Sequence, residues 1–219
     1  MHRLFHVIPS AAVLASWLMN VAPGTAQAQS VAGEVIALRA WAYGTPPAAD
    51  RRDLFLQYDV HEHERLETVE AGALHVRLLD NTVVRLGSAT SMVLDEFVYR
   101  PNESSLSFLA TVSRGVCRFI TGRTVTKNFS VQTPTASIAA RGTEFSVWVT
   151  ADGTTTIWVQ DGQVEVTPRL GGGAALVNGG EIVATPLTGG VTLDAPRPSP
   201  DTGIGPTPRI RIPRFKQNK

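Results

Sequence analysis

Between residues 143 and 166, apolar side chains recur at every second position. Thr143, Phe145, Val147 and Val149 share one face. Beyond Ala151-Asp152-Gly153, Ile157 and Val159 alternate with Thr156 and Trp158, and Val164 and Val166 follow Asp161-Gly162. A period of two places one face of a β-strand in a core, whereas a helix would need 3.6. Both Asp and Gly tolerate the positive φ that tight hairpins demand, so Asp161-Gly162 reads as a two-residue turn. Registering the strands by these loops pairs Val147 with Ile157, Val149 with Thr155, Val159 with Val164, and Ile157 with Val166. A slip of one residue would turn the whole set to water, so the register is strongly specified.

The same signature fills the chain before and after. Strands are expected at residues 32–43 (Val35, Ala37 and Arg39 on one face, Ile36 and Leu38 on the other), 54–58 and 73–79. Asp80-Asn81 turns the last of these into 82–86. Residues 92–97, 105–112, 116–120, 129–133 and 136–140 continue the series, and Asn178-Gly179-Gly180 sits between 174–177 and 181–184 as a further hairpin. The expected class is all-β: a single domain of short antiparallel strands over 31–185, as a two-layer sandwich or a solenoid-like stack. Arg141-Gly142 falls where 136–140 must turn into 143–150. Glycine permits that bend. Arg141 either forks onto carbonyls or a carboxylate at the corner or binds a ligand.

The ends differ from the middle. Arg3, the mostly apolar residues 7–21 and Ala26-Gln27-Ala28 fit an export leader covering 1–28. Its apolar run is shorter than the ~20 residues of a membrane span, and it holds no cysteine for a lipid anchor. The expected product is periplasmic or secreted, without a membrane span in the mature chain. Cys117 is the only cysteine, so no internal disulfide forms, and its apolar strand context reads as a buried thiol. Residues 29–195 hold 13 Lys/Arg against 18 Asp/Glu, a balance of −5 that argues against nucleic acid as a partner. Residues 196–219 carry a balance of +5 and six of the 14 prolines, and read as a disordered basic C-terminal tail.

In its middle the chain resembles the FecR-type domain of bacterial envelope proteins. The matching pieces are Gly33-Glu34-Val35, Glu67-Thr68, the strand–turn–strand unit from Leu78 through Asp80-Asn81-Thr82 to Gly87, and residues 92–97 and 115–119. Val131-Gln132-Thr133-Pro134 and the run from Ile138 through Arg141-Gly142-Thr143 to Phe145 complete the series, with coverage of residues 33–167. Asn81 stands where the family usually has glycine. The resemblance implies an exported all-β module that senses or relays by protein contact, with no catalytic residues and no cofactor to carry over. Asp80, Thr133, Pro134, Arg141, Gly142 and Thr143 are the signature positions it marks.

Other chemistries are weighed against that reading. His61, His63 and Glu67 have the His-x-His-x-x-x-Glu spacing with which one strand of a cupin barrel holds a metal, but the rest of that signature is missing. A cupin-like metal-dependent enzyme is therefore a distant alternative, and no metal is expected. Asp95, Glu96, Glu144 and Glu165 are the carboxylates a glycosidase would draw on, and nothing in their spacing singles them out. Trp148 and Trp158 fall diagonally on adjacent strands, opposite the apolar face. They form either an aromatic platform for a partner's side chain or sugar ring, or a second buried face. An envelope protein is the first choice of partner, and cell-wall or extracellular polysaccharide the second.

Overall fold

One long strand joins two sheets in the computed structural model, which describes residues 30–103, 105–122 and 128–195. The expected leader (1–28) and tail (196–219) lie outside the described residues. In chain order the strands are β1 (Val31–Arg39), β2 (Ala42–Thr45), β3 (Arg52–Asp53), β4 (Asp59–His61), β5 (Arg65–Thr68) and β6 (Ala73–Leu78). Then come β7 (Val83–Leu86), β8 (Ser91–Arg100), β9 (Ser105–Ile120), β10 (Asn128–Gln132), β11 (Ala136–Ala140) and β12 (Glu144–Val149). The series ends with β13 (Thr155–Asp161), β14 (Gln163–Pro168), β15 (Ala175–Asn178), β16 (Ile182–Thr185) and β17 (Thr192–Leu193). The first sheet has the order β4-β1-β6-β7-β9-β12-β13-β16-β17. The second has the order β3-β2-β5-β8-β9-β10-β11-β14-β15. Among the described strands only β9 and β10 run parallel, and the other pairs are antiparallel. Among the described residues there is no α-helix, and neither sheet closes into a barrel. The all-β expectation holds, in its sandwich form.

Alternation creates the core. Val164, Val166 and Pro168 of β14 are buried while Gln163, Glu165 and Thr167 are exposed. The inner faces meet at four phenylalanines. Phe108 and Phe129 of the second sheet stack at 4.1 Å, and Phe119 and Phe145 of the first at 5.1 Å. Edge contacts of 5.9 to 6.3 Å link the two pairs across the layers. All four are at most 2% exposed, and burying each such side chain contributes roughly 1.5–3 kcal/mol.

The corners depart from the sequence reading in informative ways. Residues 105–112 and 116–120 are one strand of 16 residues, β9, that bends from the second sheet into the first. Gly115 makes the bend at φ 85°, and Thr90 packs so closely that a Cβ on Gly115 would lie 2.5 Å from the Thr90 Cα. The Thr90 hydroxyl accepts the Val116 N–H at 3.0 Å, holding the kink. Residues 32–43 are instead two strands: Ala40, at φ 56°, sends β1 and β2 into different sheets. A bulge between Val35 and Ala37 also turns Leu38 toward the core, against the expected face. Residues 54–58 are a loop that covers the edge of β1, with Val35 N donating to the Tyr58 carbonyl at 2.9 Å.

The β12–β13 hairpin has the expected register, with Val147 opposite Ile157 and Val149 opposite Thr155. The second expected hairpin is overturned. Val164 lies opposite Ala140 and Val177, Val166 opposite Ile138 and Ala175, and Ile157 opposite Val183. Val159–Val164 and Ile157–Val166 are thus not cross-strand pairs, because β13 and β14 belong to opposite layers. Gly162 still has positive φ (84°), but it is seated where a Cβ would meet Thr143 Cγ2 at 2.7 Å. The turn therefore arches over the corner instead of lying in a sheet. Asn178-Gly179-Gly180 does the same between β15 and β16, correcting the other expected hairpin.

Four buried threonines stitch the layers together. A consistent donor order runs from Thr185 to Thr135 (3.0 Å), to Thr155 (2.8 Å), to Thr133 (2.8 Å), ending on the Ala136 carbonyl (3.2 Å). Each link contributes about 1 kcal/mol net, and more is lost if one partner alone is removed.

Replacing Gly115 by Ala should lower unfolding free energy by about 2–3 kcal/mol, because a β-carbon meets both an unfavourable φ and the Thr90 backbone. Urea denaturation reads this directly, and an unchanged midpoint would contradict the bend as described.

Candidate functional site

The outer face of the first sheet brings together basic, polar and aromatic side chains. Val147, Ile157 and Val183 point inward, so the residues between them point out. Reading across the strands gives a row His75–Arg85–Arg118–Ser146–Trp158–Ile182, each directly opposite the next. A neighbouring row runs Val116–Trp148–Thr156–Ala184–Thr192. The two tryptophans are therefore diagonal neighbours, as their spacing implies, and both are half-buried.

Like charges opposite one another on adjacent strands repel, and this face resolves the repulsion locally. Arg118 donates through Nε to Glu144 Oε1 at 2.8 Å and through Nη2 to the same oxygen. Arg85 is buried. Burial and the neighbouring Arg118 lower its pKa, while Glu144 opposes the shift. His75, 7% exposed, is pushed down to about 4 by burial and by Arg85, so it is neutral at pH 7. Gln160 Nε2 donates to Ser146 Oγ at 2.7 Å, leaving Gln160 Oε1 buried without a hydrogen-bond partner. The Trp148 indole nitrogen is in the same position, buried and without an acceptor among the described residues.

Compared with known protein families, residues 64–165 match the FecR family, described as FecR protein. Over those residues the chain is similar to a FecR domain. Two crystal structures of a candidate anti-sigma factor from Parabacteroides distasonis are similar to this chain at 22% identity and a TM-score of 0.49. The alignment covers 59% of this chain and 58% of that one. Among curated proteins nothing matches. The sandwich extends beyond the matched residues, since β1 and β2 precede them and pair with β6 and β5.

The six positions marked by the resemblance sit at joints of the fold. Asp80 is buried and closes the β6–β7 turn, accepting the Thr82 N–H at 3.1 Å and the Thr82 hydroxyl at 2.6 Å, while Asn81 takes φ 68°. Thr133 belongs to the threonine chain, and Pro134 beside it is exposed. Arg141 and Gly142 form the exposed step from β11 in one sheet to β12 in the other, Gly142 at φ 61°. Arg141 bonds to none of the described residues. Thr143 holds the corner by exchanging hydrogen bonds with Thr121, at 2.8 Å from its N–H to the Thr121 hydroxyl and 3.0 Å back to its carbonyl. Arg141 is not beside the tryptophans: from the start of β12 to Trp148 is about 13 Å along the strand.

His61 and His63 do not share a strand face. β4 ends at His61, and His63 occupies the following turn at φ 62°. Among the described residues no His, Cys, Asp and Glu form a group able to hold a metal. His61 instead joins a cluster that spacing alone did not reveal. Glu64 is fully buried and accepts hydrogen bonds from Arg52 Nη2 (3.0 and 3.2 Å) and from the His61 N–H (2.9 Å). Gly44 makes room for this carboxylate; a Cβ there would stand 2.0 Å from Oε1. A buried acid beside a glycine on the opposite strand cannot be read from one sequence. Glu144 and Glu165 lie on outer faces of opposite sheets and cannot converge as a catalytic pair.

At one end of the sandwich an open cleft of about 720 Å³ is lined by Arg65, Glu67, Arg114 and Asp152. The Asp152 carboxylate is held below its usual range by the Thr150 hydroxyl and by the Thr154 amide and hydroxyl.

Two outcomes follow from these buried groups. His75 binds fewer protons folded than unfolded between pH 4 and 6.5, so stability should rise with pH across that window. Up to about 3 kcal/mol is involved, and His75→Gln should flatten that part of a pH–stability curve. Glu64→Ala should cost roughly 3 kcal/mol, because it empties a fully buried site and leaves the half-buried Arg52 only the Asp59 carbonyl. Thermal or urea unfolding measures the loss.

Proposed function

We propose that this chain is an exported FecR-type signalling module that works by protein–protein contact in the cell envelope. In this reading residues 1–28 are a removed leader, 31–185 the β domain and 196–219 a basic tail. The family match over residues 64–165 supports the module. The observation that carries the contact surface is the Trp148–Trp158 pair on the outer face of the first sheet, flanked by the Arg118–Glu144 ion pair. Tryptophan and arginine dominate binding energy at protein interfaces, each anchor supplying 2 kcal/mol or more when buried by a partner. Arg141 adds an exposed cation at the far end of the same sheet. No helix among the described residues is long and apolar enough to cross a membrane.

The mature chain used as bait against an envelope fraction should capture one discrete protein. A Trp148→Ala/Trp158→Ala variant with unchanged circular dichroism should lose that capture at least tenfold, about 1.4 kcal/mol. Equal capture by the variant, or binding to an extracellular polysaccharide in place of a protein, would overturn the proposal.

A further inference from the structure

The cleft at the end of the sandwich has a basic wall with spare donors. Arg65 comes from β5 and Arg114 from the bend of β9, with Ser91 of β8 between their strands. Among the described residues the Arg65 guanidinium makes one polar contact, Nη1 to Ser91 Oγ at 3.5 Å. Arg114 also makes one, Nη2 to Glu67 Oε1 at 3.6 Å, and Arg51 takes the other oxygen of that carboxylate at 3.7 Å. These distances are long for N–H···O hydrogen bonds. A guanidinium carries five N–H donors, and a carboxylate can accept two of them at once. Two such forks line the cleft almost unused.

The other wall comes from the first sheet. Asp152, in the turn between β12 and β13, has its carboxylate oriented by the Thr150 hydroxyl, by the Thr154 N–H at 3.2 Å and by the Thr154 hydroxyl at 3.1 Å. These partners are neutral, so the carboxylate is held in place and ionised but not neutralised. Beside it Pro134 and Leu187 line the cleft against Gly153, where a Cβ would stand 3.4 Å from Pro134 Cβ and 3.8 Å from Leu187 Cδ2. Leu187 is 52% exposed, an apolar surface for a ligand to cover. The cleft volume of about 720 Å³ falls within the roughly 300–1,000 Å³ of small-molecule sites.

A ligand that suits both walls carries an anion and a cation on one short frame. A lone oxyanion would leave Asp152 without a cation, and a purely basic ligand would meet the two arginines. We propose that the cleft binds an amino acid or short peptide as its zwitterion. Arg65 and Arg114 take the carboxylate, Asp152 takes the ammonium group, and an apolar side chain covers Pro134 and Leu187. Glu67 then competes with the ligand for Arg114. The site uses neither Trp148 nor Trp158 and does not rest on the function proposed above.

Titration calorimetry of the chain with L-leucyl-glycine and with free leucine tests this. Saturable one-to-one binding is expected, and the tighter of the two assigns the ligand as peptide or amino acid. Acetylating the ligand's amine or amidating its carboxylate should weaken binding at least tenfold. Arg114→Gln and Asp152→Asn, both at exposed positions, should each do the same with unchanged circular dichroism. Glu67→Gln, which frees Arg114, should tighten binding severalfold. A Trp148→Ala/Trp158→Ala variant should bind as the wild type does. No binding at millimolar ligand would overturn the proposal, as would equal affinity for the capped ligands. Inorganic phosphate that binds as tightly, and is indifferent to Asp152→Asn, would make the cleft a plain anion site and overturn it too.

Discussion

Every strand of this molecule takes its place from β9. It pairs with β8 and β10 in one layer and with β7 and β12 in the other. A strand can serve both layers only if it bends sharply in mid-course, and an L-residue with a side chain resists that bend. Gly115 and the Thr90 hydroxyl resolve the constraint together, one by permitting the conformation and the other by satisfying the backbone it exposes. With the bend made, Phe108 and Phe119 face each other from opposite layers although they belong to one strand.

The inward faces were legible in the sequence wherever polar and apolar residues alternate. The period-two pattern puts Val147, Ile157, Val164 and Val166 in the core, and all four are buried. Layer assignment was not legible, because an arch and a hairpin use the same residues. Asp161-Gly162 has the positive φ a hairpin needs, yet the choice between an in-plane turn and an arch is made by Thr143 packing against Gly162 and by β11 and β16 offering better partners. The bulge in β1 escaped for a related reason: alternation looks continuous on paper while one extra residue reverses the faces.

The candidate face was half legible. Strand spacing placed Trp148 and Trp158 together. It could not place His75, Arg85 and Arg118 beside them, since those residues come from β6, β7 and β9 and meet only through the sheet order. The result is a sheet surface with charge neutralised in place by Glu144 and two aromatic rings at its centre. Such a surface favours a partner that brings both apolar contact and hydrogen-bond acceptors.

The dependence on β9 has a kinetic side. β1 to β8 pair with one another only within their own layers, and among the described strands β9 is the one that pairs in both. Non-local pairing of this kind folds slowly, on a scale of milliseconds to seconds. The apolar faces of β1 to β8 therefore wait for residues as far along as Ile120 before a single strand covers them in both layers.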